Sequence, residues 1–140
     1  MLYDGEPDLC SAAFDEAAEV ADRICDHLIR TWVDCLRALN MARLGDLAEA
    51  RSALEAQIPA LVELCDVHNS GIAYGNVAEF CFLLGDNLGA RRALRGNLRL
   101  LTQHRNWAVN AEALMTAAML AARAGRSSDA ARLAGAYWRL

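Results

Sequence analysis

A segment that returns every forty residues constrains this sequence more than any other feature. Residues 44–51 (LGDLAEAR) return as residues 84–91 (LGDNLGAR), and residues 124–131 (AGRSSDAA) are a weaker third copy. The glycines of these copies stand forty positions apart, and projection back by another forty reaches Gly5. A fixed period of this length is typical of arrays of helical hairpins, in which each repeat packs against its neighbours.

The residues around each glycine predict a turn between two helices. Glycine ends a helix because it enters the left-handed conformation without a Cβ penalty. The aspartate that follows, Asp46 or Asp86, is predicted to cap the next helix by accepting a bond from a free backbone amide. A small residue five positions after each glycine lets two antiparallel helices approach closely, and these residues are Cys10, Ala50, Ala90 and Ala130.

The composition predicts that the chain is helical throughout. Alanine (28) and leucine (21) supply 35% of the 140 residues, whereas proline occurs twice. These residue types favour helices most and least, respectively. No stretch alternates with a period of two strongly enough to predict a strand. Seven helices are predicted, at about residues 8–25, 28–44, 47–66, 70–84, 87–104, 107–124 and 127–140, with a kink in the third at Pro59.

Several classes of function are excluded or disfavoured. All 14 basic residues are arginines, so phosphate-binding loops, kinase sites and Schiff-base mechanisms that need a lysine are absent. The five cysteines lie ten or more residues apart behind an acidic start without a signal peptide, which favours a reduced, cytoplasmic chain. The longest strongly apolar run, residues 113–122, is about half a membrane span. We expect no membrane insertion and no cofactor.

The charge is distributed unevenly along the chain. Residues 1–70 carry 14 acidic and 5 basic side chains, whereas residues 71–140 carry 4 and 9. Such polarity favours head-to-tail self-association or complementary neighbours in a longer protein, although random surface drift explains it equally well.

The glycine-centred segments resemble tetratricopeptide-type helical repeats. The matching residues are Gly45, Asp46 and Ala50, and again Gly85, Asp86 and Ala90, with Tyr74, Val77 and Ala78 at the aromatic, aliphatic and small positions of the first helix. The period here is forty residues rather than the usual thirty-four, and the closing proline is absent. The resemblance implies one all-α domain over residues 1–140, built as a right-handed superhelical array of antiparallel helix pairs.

Longer repeats of this kind are similar to the sensor region of large LuxR-type bacterial transcription regulators related to the maltose activator. Residues 129–136 (DAARLAGA) are similar to a stretch that such regulators carry shortly before their DNA-binding domain. The resemblance implies a surface that binds a protein or an inducer. The sequence has no ATPase motif or helix-turn-helix domain of its own. Because it begins at a second-helix position and ends within another helix, we expect a fragment or a partner that covers the last helix.

The resemblance also implies that the first helix of each pair lines a concave groove. We predict a peptide- or protein-binding surface there, with apolar anchors in its middle and arginines at one edge. The predicted binding residues are Trp32, Leu39, Arg43, Glu79, Phe82, Met115, Met119 and Arg123, with Cys35, Ile72, Gly75 and Glu112 beside them. Ordinary packing between helices is the alternative explanation for the apolar members.

Three other groups of residues carry weaker hypotheses. An arginine stripe (Arg91, Arg92, Arg95 and Arg99, with Arg132) is either a solvated face or a site for an acidic peptide or phosphate. Nucleic acid is disfavoured by the pI near 5.3 and by the lack of aromatic residues among these arginines. The repeated Cys-Asp pairs at positions 25 and 65 are spaced awkwardly for a metal, so no metal site is predicted.

No pattern of catalytic residues is present. The three histidines lie near predicted helix ends, and no nucleophile-elbow or zinc-protease motif occurs. We therefore predict a non-catalytic interaction module of a transcription regulator rather than an enzyme. A small-molecule effector sensor that uses the same groove is the alternative.

Overall fold

A computed structural model of the chain describes residues 7–104 and 111–139, and every regular element in these ranges is a helix. This confirms the predicted all-α fold class. The seven helices are α1 (Pro7–Arg23), α2 (His27–Leu44), α3 (Leu47–Glu63), α4 (Val67–Leu83), α5 (Asn87–His104), α6 (Ala111–Arg123) and α7 (Ser127–Tyr137). Gly5 and the predicted start of the sixth helix at residue 107 lie outside the described ranges.

The helices form two compact units, Met1–Leu64 and Cys65–Leu140. In the first unit, α2 packs against both α1 and α3. In the second unit, α5 packs against α4 and α7 against α6, while α4 and α6 join the two pairs. Helices that are adjacent in the chain therefore pair as hairpins. The predicted single domain and superhelical arrangement stay predictions.

The glycine turns are confirmed. Gly45, Gly85 and Gly125 have φ values of 102°, 81° and 73°, in the left-handed region. Each turn closes the preceding helix through backbone bonds. At the second turn, the amide of Gly85 donates to the carbonyl of Phe82 at 3.1 Å, and the amide of Asp86 donates to the carbonyl of Cys81 at 2.8 Å. These bonds satisfy carbonyls that the helix end would leave open.

Two further turns are closed by cysteine in the same conformation. Cys25 and Cys65 have φ values of 54° and 56°. The aspartate after each one caps the next helix, because Asp26 Oδ1 accepts from the amide of Ile29 at 2.9 Å and Asp66 Oδ1 accepts from that of Asn69 at 3.1 Å. The repeated Cys-Asp pairs are thus part of the turns, which recur at positions 25, 45, 65, 85 and 125.

The predicted aspartate caps are confirmed at one glycine turn and wrong at the other. Asp86 Oδ1 accepts from the amide of Gly89 at 2.8 Å. Asp46 makes no cap bond with its side chain. Its ψ of 54° is less extended than the 93° of Asp26, and capping needs an extended backbone that directs the carboxylate at the following amides.

The core follows the repeat. Ala50 and Ala90 are fully buried, as predicted for positions where helices approach closely, whereas Cys10 and Ala130 are half-buried. Leucine and valine fill the interior next to them, at Leu54 in the first unit and Val77 in the second. α3 runs through Pro59 without interruption. No helix in the described ranges is sufficiently long and apolar to cross a membrane.

The α4–α5 hairpin is packed most tightly. A Cβ added at Gly96 would lie 2.4 Å from Cε1 of Tyr74, so only glycine leaves room for that ring. Asn97, one residue later, is 1% exposed, and its Nδ2 donates to the carbonyl of Gly71 at 2.9 Å. Its Oδ1 accepts no hydrogen bond within the part of the chain that the structure describes.

Candidate functional site

A cleft of about 400 Å³ lies in the second unit, between α5 and α7 and above α6. Its lining is apolar on the floor and charged on the two walls. The lining residues are Arg91, Leu94, Arg95, Ala117, Leu120, Ala121, Ala124, Arg126, Asp129 and Leu133. We call this space the α5–α7 cleft.

The α5–α7 cleft exists because α5 and α7 belong to different hairpins. Each packs against its own partner, and among the described residues these two helices make no helix–helix contact with each other. Between them, α6 presents Ala117 and Ala121, and Ala124 follows at its end. Methyl side chains cannot fill the space between two helices, so it remains hollow.

Three arginines give the α5–α7 cleft a positive rim. Arg91 and Arg95 lie on α5 one helical turn apart, where their side chains are about 5–6 Å from each other at Cβ. Arg126 lies on the opposite wall, with 69% of its side chain exposed. Arginine matches carboxylates and phosphates through paired N–H donors, so the rim is suited to an anionic group.

Asp129 is the one acidic residue among the described residues that line the cleft. Its carboxylate accepts from Arg132 and, at 2.8 Å, from Nε of Arg126. The hydrogen bonds from Arg132 and then from Arg126 lower the pKa of Asp129 below the ordinary value of 3.8. The carboxylate therefore stays ionised at neutral pH, and its negative charge compensates part of the positive charge of Arg126 and Arg132.

A second hollow of about 390 Å³ continues along α5. It is lined by Arg95, Leu98, Arg99, Thr102 and Gln103. Arg95 lines both hollows, and Leu98 is 57% exposed. The outward face of α5 thus alternates arginine with apolar surface, which is a composition typical of protein interfaces.

Arg126 departs from the pattern at the other turns. The residue after the turn position is aspartate at 26, 46, 66 and 86, but arginine at 126. Arg126 makes no cap bond for α7, and it contacts Asp129 through Nε and, at 2.6 Å, through Nη2. At this position the chain therefore has an arginine on the wall of the cleft instead of the aspartate that suits the start of a helix. Sequence analysis missed this residue, although the broken aspartate pattern was visible.

The predicted groove residues of the first unit all lie on α2. Trp32 is 40% exposed, Leu39 is half-buried, and Arg43 is exposed in the last turn of the helix. A large aromatic ring with this exposure is compatible with a contact surface. Their role in binding stays a prediction.

The predicted groove residues of the second unit lie on α4 and α6. Glu79, Met115 and Met119 are half-buried, and the side chain of Glu112 lies outside the described part of the structure. Phe82 and Arg123 are brought together, because the Arg123 guanidinium carbon is 3.8 Å from the centre of the Phe82 ring. Nη1 of Arg123 also donates to the Phe82 carbonyl at 3.2 Å and to Asn87 Oδ1 at 3.1 Å. Arg123 thereby joins the ends of α4 and α6 to the start of α5.

The described residues contain no group of three or more histidine, cysteine, aspartate or glutamate side chains that could hold a metal ion. The α5–α7 cleft offers arginine donors suited to an anion and an apolar floor suited to a hydrophobic side chain.

Comparison of this chain with protein-family models, with curated proteins and with solved structures finds no match.

Proposed function

We propose that this chain is a non-catalytic helical-repeat interaction module, and that the α5–α7 cleft binds a partner peptide or protein segment carrying acidic and apolar side chains. Following the resemblance to LuxR-type regulators, we place the module within or beside a bacterial transcription regulator. The predicted groove residues belong to the same proposal as further contact surfaces, one on α2 in the first unit and one on α4 and α6 in the second.

The observation that carries the proposal is Arg126. At four other turns an aspartate stands at this position, and substitution of a capping residue typically costs about 1 kcal/mol of helix stability. Residues that break a local rule of the fold tend to be functional. Arg126, which is paired with Asp129, lies across an apolar floor from Arg91 and Arg95, so the charged group of an occupant would be bound first by the two arginines of α5.

A selection from a random peptide-display library on the purified chain tests the proposal. We expect enrichment of peptides that combine aspartate or glutamate with leucine or isoleucine at helical spacing. The Arg91→Ser/Arg95→Ser variant should bind the enriched peptides about tenfold more weakly, which corresponds to about 1.4 kcal/mol.

The matched control is Arg92→Ser/Arg139→Ser, which removes the same charge from the second unit outside the lining of both hollows. This variant should retain affinity to within about twofold, because distant exposed charges contribute little at physiological salt. Circular dichroism should show equal helicity in all three proteins. Equal loss of binding in both double variants, or the absence of acidic motifs among the selected peptides, would refute the proposal.

The volume of the cleft also favours a second candidate, an effector sensor. About 400 Å³ lies within the range of small-molecule sites, and an organic acid with an apolar body would meet the same arginines and floor. A panel of such acids should raise the melting temperature in proportion to affinity. The Arg91→Ser/Arg95→Ser variant should show no shift. A shift that persists in this variant would place the ligand elsewhere.

A further inference from the structure

We infer that the partner of the α5–α7 cleft is the acidic first unit of a second copy of this chain. The inference rests on the proposed function and names its partner. It begins from charge: residues 1–64 carry 13 acidic and 5 basic side chains, and residues 65–140 carry 5 and 9. The first unit is therefore net acidic and the second net basic, with the arginines of the second unit beginning at Arg91 on α5. Opposite potentials of this kind steer association and fix its orientation.

The outward face of α1 supplies a complementary surface. Glu16, Glu19 and Val20 are all exposed there, and they lie on one side of the helix at spacings of three and four residues. Arg23 follows on this face one turn later. We call Glu16, Glu19 and Val20 the α1 ridge.

Other acids of α1 are already used within the first unit. Asp15 is paired with Arg37, and Asp22 is paired with Arg30 at 2.6 Å. These pairs lie towards α2 and hold the hairpin together. Glu16 and Val20 of the α1 ridge lie away from this side of the helix, and Glu19 borders it, one turn from both Asp15 and Asp22.

The spacing of charges on the α1 ridge is close to that in the cleft. Glu16 and Glu19 are three residues apart, Arg91 and Arg95 are four residues apart, and each pair lies on one face of its helix. A helix laid along α5 can therefore pair two carboxylates with two guanidinium groups without distortion of either backbone. Val20 would meet the apolar floor at the level of Leu94 and Leu120, as an apolar anchor between charged contacts.

Sedimentation velocity of the full chain, across a range of protein and salt concentrations, tests the inference. We expect self-association that weakens as salt rises, because the contact is electrostatic at its rim. Two charge-reversed chains are then compared: Glu16→Arg/Glu19→Arg in the α1 ridge, and Arg91→Glu/Arg95→Glu in the cleft. Each should associate with itself about tenfold more weakly or worse, since like charges then face each other.

A mixture of the two reversed chains provides the decisive measurement. The reversed ridge is complementary to the reversed cleft, and the native ridge to the native cleft, so mixing should restore association. The control Arg92→Glu/Arg139→Glu changes as much charge on the second unit outside the lining of both hollows, and it should associate like the native chain.

The outcomes separate this inference from the proposed function. A native chain that stays monomeric at all concentrations, while still selecting acidic peptides, overturns the second copy as partner and leaves the cleft as a binding site for another protein. Association that neither reversal weakens, or that mixing does not restore, also overturns the inference. Failure to select acidic peptides overturns the proposed function itself.

Discussion

The two units use the same helical hairpins but use their arginines differently. In the first unit, Arg30 bonds to Asp22 and to Asp34, at 2.6 and 3.1 Å, and Arg37 bonds to Asp34 and to Asp15. In the second unit, the arginines of α5 are exposed along one face and border two hollows. The same helical hairpins thus pair their arginines with neighbouring helices in the first unit and leave the arginines of α5 exposed in the second.

The largest expected effect on stability that would sharpen this comparison is at Gly96, a residue of the second unit whose packing has no counterpart described in the first. In Gly96→Ala, the new Cβ would lie 2.4 Å from Cε1 of Tyr74, so the ring must move. We expect a loss of about 1–2 kcal/mol in the free energy of unfolding, as is typical of overpacked sites. Hydrogen exchange should report reduced protection in α4 and α5, with α1 to α3 unchanged.

The control for this variant is Gly135→Ala on α7. The side-chain atom nearest its new Cβ would be Nη2 of Arg139, at 3.8 Å, which is an ordinary van der Waals contact. Alanine stabilises a helix over glycine by about 0.5–1 kcal/mol, so this variant should gain stability. If Gly96→Ala behaved like Gly135→Ala, the tight packing of the second hairpin would be disproved.

An intermediate effect is expected at the turns of the first unit, one closed by cysteine and the other by glycine. Gly45→Ala places a Cβ at a φ of 102° and should cost about 1 kcal/mol. Cys25→Gly relieves the left-handed cysteine at a φ of 54° and should gain about 0.5 kcal/mol. Urea unfolding of the two variants measures both changes. If both substitutions raised the free energy of unfolding, or both lowered it, the left-handed backbone would not have the same effect on stability at the two turns.

The smallest effect is a pH dependence that arises at Asp129 in the second unit. The pKa of Asp129 lies below 3.8, lowered first by Arg132 and then by Arg126. A lowered pKa stabilises the folded state above the ordinary value, and this stabilisation is lost as the pH falls through the pKa of the folded state. The difference in stability between the native chain and Asp129→Asn should therefore be constant near neutral pH and shrink in acid.

A carboxyl NMR titration of Asp129 checks the direction. A midpoint at or above 3.8 would show that its bonds to Arg126 and Arg132 do not persist in solution. In the first unit, the bonds from Arg30 to Asp22 and then to Asp34 raise the pKa of that guanidinium above its ordinary value. Arg30 therefore stays charged over the whole pH range of the titration, and its own ionisation adds no pH-dependent change in stability there.

The fold could be predicted from the sequence because its turns carry local signals. Glycine at 45, 85 and 125 marks a backbone conformation that few residues accept, and the small residues Ala50 and Ala90 mark close approach of helices. The turns at 25 and 65 were less apparent, since cysteine is uncommon in the left-handed region and its recurrence suggested thiol chemistry instead. Helix ends shifted there for the same reason: α3 ends at Glu63 rather than at residue 66.

The candidate site was only partly predictable. The arginine stripe on α5 was visible as a helical pattern, and Arg91 and Arg95 do line the cleft. The opposite wall could not be derived, because it depends on α5 and α7 pairing with different helices and remaining apart. Helical periodicity describes one helix at a time, whereas a cleft depends on the separation between two.

The amide of Asn97 makes the hairpins of this chain unequal. Its Nδ2 donates to the Gly71 carbonyl in one alignment of α4 with α5, and its buried oxygen accepts no bond from the residues that the structure describes. If another helix took the place of α4 against α5, Nδ2 of Asn97 would also be left without a hydrogen-bond partner in an apolar interior. An unsatisfied buried group of this kind costs about 1–3 kcal/mol. If this repeat were duplicated or moved into another protein, α4 and α5 would therefore have to be transferred together.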